Sequence, residues 1–215
     1  MKKSVFMILV FCCFSVVFAQ NKPDALSHYL KGRKMDTVNR KAEAKEEYNK
    51  AVEICSEELR QNPNNLDSYA VYTWSLFRLH KYNETIAICN KALQIKEDPR
   101  IIETLGEAYF YVNNMNESLR QMQKYISLNP RTDRASVAYF FQGEIYRIRK
   151  QFAKADIAYT AAVSLEPNLP LWWFKLGSVR EAENYKTGAI EAYSRALKLS
   201  PNYTEAKKGL ERLSQ

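Results

Sequence analysis

Apolar residues recur along this chain at helical intervals, and the positions between them are mostly charged. Ala44, Tyr48, Val52 and Cys55 are interleaved with Glu43, Glu46, Lys50, Glu53 and Glu57. That spacing predicts one helix from about Asn39 to Arg60. Near the end, Ala206, Leu210 and Leu213 form a single stripe between Lys207, Lys208, Glu211 and Arg212, which predicts a helix over Thr204 to Leu213. No stretch shows the strict alternation of a half-buried strand. Glycines and prolines punctuate the helical pattern on a beat. Gly106, Gly143 and Gly177 lie 37 and 34 residues apart, and Pro130, Pro167 and Pro201 each follow 24 residues later. A fixed Gly-to-Pro offset at such a period is the mark of an array of stacked helix pairs.

The residues between the beats are specific. The unit that begins at Pro170 carries Trp173, Leu176 and Gly177 on its first helix, then Ala189, Tyr193, Ala196 and Pro201 on its second. Tyr139, Gly143, Tyr146, Ala155, Tyr159, Ala162 and Pro167 repeat those offsets. Ile102, Leu105, Gly106, Tyr109, Ser118, Met122 and Pro130 do so again, with Tyr125 where an alanine is due. This order resembles the tetratricopeptide repeat over Ala25 to Pro201. The resemblance implies an all-α, right-handed superhelical solenoid of antiparallel helix pairs. A glycine inside a helix costs about 1 kcal/mol against alanine, so Gly32, Gly106, Gly143 and Gly177 each imply a close helix–helix approach. Ala155, Ala162, Ala189 and Ala196 accept neighbouring bulk, and Tyr159 and Tyr193 fill the space between helices.

Two units are irregular. From Leu66 to Asp98, Tyr69, Tyr72, Tyr82 and Ala92 keep the offsets, but Thr73 replaces the glycine and Cys89 an aromatic. That unit is expected to be the loosest. The first unit keeps Gly32, Ala44, Tyr48 and Ala51, yet its Pro63 arrives about seven residues late, close to two extra helical turns. A lengthened second helix is expected there, with a longer loop as the alternative. The expected organisation is a leader over 1–19, an array over 20–203 with units at about 25–65, 66–98, 99–135, 136–169 and 170–203, and a capping helix over 204–215.

Composition adds a location. Met1-Lys2-Lys3 is followed by a run from Val5 to Phe18 that is apolar apart from Ser15, then by Ala19 and Gln20. This is the order of a secretory signal peptide, with cleavage expected between Ala19 and Gln20. The run falls short of the roughly 20 residues of a membrane-spanning helix. The short basic start looks bacterial, so a periplasmic location is expected. Phe11 before Cys12, and Cys12 before Cys13, disfavour lipidation at either cysteine. Cys55 and Cys89 remain in the mature chain and are read as buried thiols, one disulfide between them being the alternative. The net charge of +8 falls to +6 when Lys2 and Lys3 leave. Its scatter suits a solvated surface or weak attraction to the envelope membrane, and export argues against nucleic acid as partner.

Catalytic chemistry is not announced. His28 and His80 stand far apart, and no zinc spacing, nucleophile elbow or phosphate loop is present. No enzyme activity, cofactor or metal ligand is expected. In the resembled family, first helices line a concave groove. That resemblance implies groove positions at Asp67, Ala70, Trp74, Phe77, Arg78, Arg100, Glu103, Glu107, Phe110, Tyr111, Val137, Phe140, Phe141, Glu144, Arg147, Ile148, Leu171, Phe174, Ser178 and Glu181. Trp74, Phe77, Phe110, Tyr111, Phe140, Phe141 and Phe174 would share one strip with acids and arginines, a hot-spot composition. Whether each ring lies open or packs against the next repeat is left to the structure. Many family members hold a chaperone's C-terminal carboxylate with a lysine–asparagine clamp. The matching positions here are Tyr29 and Arg33, so that clamp is missing. The expected role is an adaptor that binds a peptide or amphipathic helix. A binding protein for a small apolar ligand or lipid, beside a solute transporter, is the alternative. The partner, pathway and oligomeric state are not written in the sequence.

Overall fold

The computed structural model describes residues 24–214. The expected leader, its Ala19–Gln20 cleavage position, Cys12 and Cys13 lie outside the described residues. Among the described residues the chain forms eleven α-helices and no strand. They are α1 (Ala25–Thr37), α2 (Lys41–Gln61), α3 (Leu66–Arg78), α4 (Tyr82–Ile95), α5 (Pro99–Tyr111), α6 (Met115–Leu128), α7 (Asp133–Ile148), α8 (Phe152–Leu165), α9 (Pro170–Ala182), α10 (Lys186–Leu199) and α11 (Thr204–Leu213). None is long and apolar enough to cross a membrane.

Every helix packs against the next in sequence. In addition α1 touches α3, α3 touches α5, α5 touches α7 and α9 touches α11, whereas no pair of even-numbered helices meets comparably. The odd-numbered helices are therefore the crowded inner layer of a helical solenoid, and the even-numbered helices form its outer layer.

Local chemistry sets the helix ends. The Asp24, Asn65, Asp98 and Asn114 side chains accept backbone N–H groups of the first turns of α1, α3, α5 and α6. Pro99 and Pro170 open α5 and α9, where a missing N–H costs nothing. The turn inside each helix pair has a shared device that lacks glycine. Asn39, His80, Asn113, Lys150 and Asn184 all adopt left-handed backbone, with φ from 57° to 62°. The following residue then donates back to the last turn, as in Arg40 N to Met35 O (2.9 Å) and Gln151 N to Tyr146 O (2.8 Å). Such closure ends a helix and reverses the chain. Asparagine and histidine are among the side chains that tolerate this conformation; lysine tolerates it less well.

Packing between the helices of a pair runs through one slot. A Cβ placed on Gly32, Gly143 or Gly177 would come within 2.6 Å of a ring carbon of Tyr48, Tyr159 or Tyr193, respectively. The glycine lets the ring lie flat on the first helix's backbone. Gly106 faces the thinner Met122 instead. Thr73 and Cys89 occupy the same slot in the second pair, and both are completely buried. The Thr73 hydroxyl donates to Ala70 O (3.0 Å). The larger residue on α3 is matched by the smaller one on α4, so this departure from pattern is a compensated exchange of volume.

The lengthened second helix of the first pair is α2, with 21 residues. Its last turns carry Leu59 into the cluster of Tyr69, Cys89, Ala92, Ile101 and Leu105. Glu58 accepts a hydrogen bond from Ser68 on α3 (2.6 Å). Cys55 and Cys89 are free thiols, both buried, and burial pushes each thiol up to about 12.

Candidate functional site

The crowded inner layer leaves a cavity of about 590 Å³. Its walls come from four successive inner helices. Leu26, Tyr29, Leu30 and Arg33 stand on α1, Trp74, Phe77 and Arg78 on α3, Arg100, Glu103, Thr104 and Glu107 on α5, and Arg134 on α7. Tyr125 and Asn129, at the end of α6, complete it.

The apolar part is aromatic and tied together. Trp74 packs on Tyr29 with ring centroids 5.5 Å apart, and Phe77 meets Tyr111 at 5.6 Å. The polar part is a set of ion pairs. Arg100 spans Asp98 (2.6 Å) and Asp67 (2.8 Å), the latter from the neighbouring inner helix. Arg134 lies against both Glu103 and Glu107, at 3.0 Å from the latter. Two carboxylates thus share one guanidinium deep in the groove, where the Glu103 and Glu107 side chains are 5% and 13% exposed. Burial, and then the charge of Glu103, push the Glu107 carboxyl up to about 8, against Arg134 and Arg78. Burial likewise raises Glu103, opposed by Arg134. Both shifts favour the protonated form, and a proton shared by the pair relieves the repulsion of two buried carboxylates.

The structure divides the expected groove residues. Trp74, Phe77, Arg78, Glu103 and Glu107 line this cavity, while Tyr111, half exposed, lines an adjoining one. Phe110, Phe140, Phe141, Glu144, Arg147 and Phe174 line neither, which corrects the single open strip. Phe141 is buried and packs against Phe110 at 5.0 Å. Phe140 stacks on Trp172 (4.9 Å), and Phe174 packs on Tyr203 (5.4 Å) and Tyr193. Phe141 is buried and Phe110, Phe140 and Phe174 are half-buried against neighbouring rings, because inner helices approach more closely than outer ones. Glu144 is a buried hub that accepts from Tyr159, Arg147 and Lys175. Burial pushes its carboxyl up, but these partners hold it below its ordinary range. Ala70, expected in the groove, is fully buried.

Arg134 was not legible as a groove residue. It precedes the repeat's own first position and belongs to an extra N-terminal turn of α7. The one available signal is its place 34 residues after Arg100. The packing residues Ala155, Ala162, Ala189, Ala196, Tyr159 and Tyr193 are all fully buried. Among the described residues no cluster of three or more His, Cys, Asp or Glu side chains could hold a metal ion.

A family model described as tetratricopeptide repeat matches residues 136–169 and 173–203. Helices α7 to α10 therefore match two tetratricopeptide repeats. Solved structures of the fold superpose along most of the chain. MamA from Desulfovibrio magneticus RS-1 aligns with TM-score 0.65 and 17% identity, covering 85% of this chain and 98% of that one. YrrB, described as a tetratricopeptide-repeat protein with an unusual peptide-binding site, aligns with TM-score 0.60 and 19% identity over 89% and 94% of the two chains. The first tetratricopeptide-repeat domain of Spaghetti (RPAP3), bound to the HSP90 peptide SRMEEVD, aligns with TM-score 0.50 and 26% identity over 54% and 90%. Among curated proteins, the O-mannosyl-transferase TMTC1 of Mus musculus is 28% identical over 125 residues, and that of Homo sapiens 27% over 112. These stretches are 56% and 52% of this chain but 13% of either relative.

Proposed function

We propose that this chain is an exported, periplasmic tetratricopeptide-repeat adaptor that holds a segment of a protein partner in the groove between its inner helices. The observation that carries the reading is the cavity itself, lined from α1, α3, α5 and α7 together. A ligand seated there contacts successive repeats at once, and this geometry favours an extended or helical segment over a compact molecule. The lining mixes aromatic anchors with arginines and acids, the composition of protein-recognition surfaces. Its four arginines make it a poor container for a purely apolar ligand or lipid. Two structural neighbours are described with peptides or a peptide-binding site, which supports the same use here. Export rests on the charged, apolar and small-residue order of residues 1–20. No catalytic role is proposed.

Site-specific photo-crosslinking in the native host tests the reading. A crosslinker at Leu30, half exposed in the groove, is expected to trap a partner that one at Ile157, 71% exposed on the outer α8, does not. The same products from both positions, or none from Leu30, would overturn it. The mature N-terminus, read by mass spectrometry from the periplasmic fraction, is expected at Gln20.

A further inference from the structure

A second cavity, of about 440 Å³, adjoins the first where the inner helices end. Phe77 and Arg78 line both, so the two meet at these side chains. The second cavity is cationic. Lys41 and Lys45 reach it from the start of α2, Arg78 from the end of α3 and His80 from the turn that follows. Among the described residues Asp36 is the only carboxylate in its lining, and it is already engaged by Lys41 (3.2 Å) and by the Tyr48 hydroxyl (2.7 Å). Arg78 and Lys45 make no ion pair or hydrogen bond among the described residues, unlike Arg100, Arg134, Arg147 and Arg180. His80 Nδ1 meets the Tyr82 hydroxyl (2.7 Å), and the opposite wall is the stacked pair Tyr82–Tyr111 at 4.8 Å.

We propose that this rim cavity is an anion subsite that receives adjacent acidic side chains of the partner segment, whose apolar residues lie on Trp74 and Phe77. The inference rests on the groove reading above and names the chemistry of its ligand. Charge complementarity carries it. Lys41, Lys45 and Arg78 face Asp36 in this cavity, with Glu107 reaching Arg78 from the adjoining one, and the lining keeps a surplus of positive charge that neighbouring carboxylates of a ligand would balance. The site is not the missing clamp. Its cations stand at the end of α3 and the start of α2, Tyr29 and Arg33 do not line it, and it needs no chain terminus. Arginine and lysine donors converge there from two elements, α2 and α3, so adjacent carboxylates receive charge-assisted hydrogen bonds while an aromatic wall excludes water from one side.

Selection from a random peptide display library on the purified protein tests this. Peptides that compete with one another and lose binding to Trp74→Ala are expected to carry adjacent Asp or Glu residues beside apolar ones. Their affinity is expected to fall about tenfold on Arg78→Gln and to weaken as salt rises. Arg78 and Lys45 are exposed, so Arg78→Glu/Lys45→Glu is expected to fold, with an unchanged helical spectrum, and to select basic peptides instead. Groove-directed peptides without acidic enrichment, or an enrichment that survives both variants, would overturn the anion subsite and leave the groove reading standing. No peptide selected at all would overturn both. Anionic phosphatidylglycerol vesicles that bind through Arg78 when acidic peptides do not would overturn the peptide as occupant.

Discussion

The exchange of Thr73 and Cys89 for the glycine and aromatic of the other repeats has a measurable consequence. If the two residues share one slot, changing either alone is costly and changing both is not. Thr73→Gly places glycine inside α3, at about 1 kcal/mol, and empties part of a fully buried site, for about 1–2 kcal/mol more. Cys89→Phe forces a ring toward the Thr73 Cβ. A Cβ added at Gly32, Gly143 or Gly177 would lie within 2.6 Å of the ring at this position, and overpacking of this kind costs about 1–3 kcal/mol. Phenylalanine is the right partner. Tyr48 and Tyr193 give their hydroxyls to Asp36 and Glu181, four residues after the slot glycine, and the matching position here is Phe77. Independent effects would sum to about 3–6 kcal/mol, whereas the double variant is expected within about 2 kcal/mol of the parent, a favourable coupling of about 2–3 kcal/mol. Urea denaturation followed by circular dichroism, with amide exchange resolved over Leu66–Asp98, reads both terms. Additivity within about 0.5 kcal/mol would refute the shared slot. The compensation also removes the reason for expecting this repeat to be the loosest.

Other outcomes follow from single groups. Glu107 is raised to about 8 from an ordinary 4.5, so its folded form binds more protons than its unfolded form, and stability falls as pH rises from about 4.5 to about 8. Glu107→Gln is expected to flatten that slope in urea midpoints measured across the range; an unchanged slope would count against the shared proton. Glu47 shows the opposite sign. Hydrogen bonds from His28 first, then Lys31 and Lys50, hold its carboxyl at about 2 despite burial, so its contribution is present above about 4.5 and is lost as pH falls toward 2. Acid titration of Glu47→Gln is expected to be shallower than that of the parent over this window. At Lys150, a non-glycine residue at φ 57°, Lys150→Gly is expected to stabilise by about 0.5–1 kcal/mol in thermal unfolding, whereas Gln151→Gly is not.

The scaffold was legible because it is periodic. Gly32, Gly143 and Gly177 report a contact that only glycine allows, and their tyrosines lie at a constant offset, so helix pairs could be counted before any coordinate. The long α2 was legible from its uninterrupted stripe. The turn device was not, because Asn39, His80, Asn113, Lys150 and Asn184 share a backbone conformation and no common side chain. The groove was half legible. Repeat position says which residues face the inner layer, but not how far adjacent inner helices close. That distance sends Phe140 to Trp172 and Phe141 to Phe110, and leaves Trp74 and Phe77 beside a cavity. Arg134 escaped because it lies outside the repeat frame, yet it holds Glu103 and Glu107 together.

The most direct test of the groove is an amide and indole spectrum of the isotopically labelled protein, titrated with the tightest peptide from the display selection. Shifts are expected on the inner faces of α1, α3 and α5 and at the Trp74 indole, with α8 and α10 unmoved. Shifts confined to the outer helices, or a Trp74 indole that does not respond at saturation, would contradict the account.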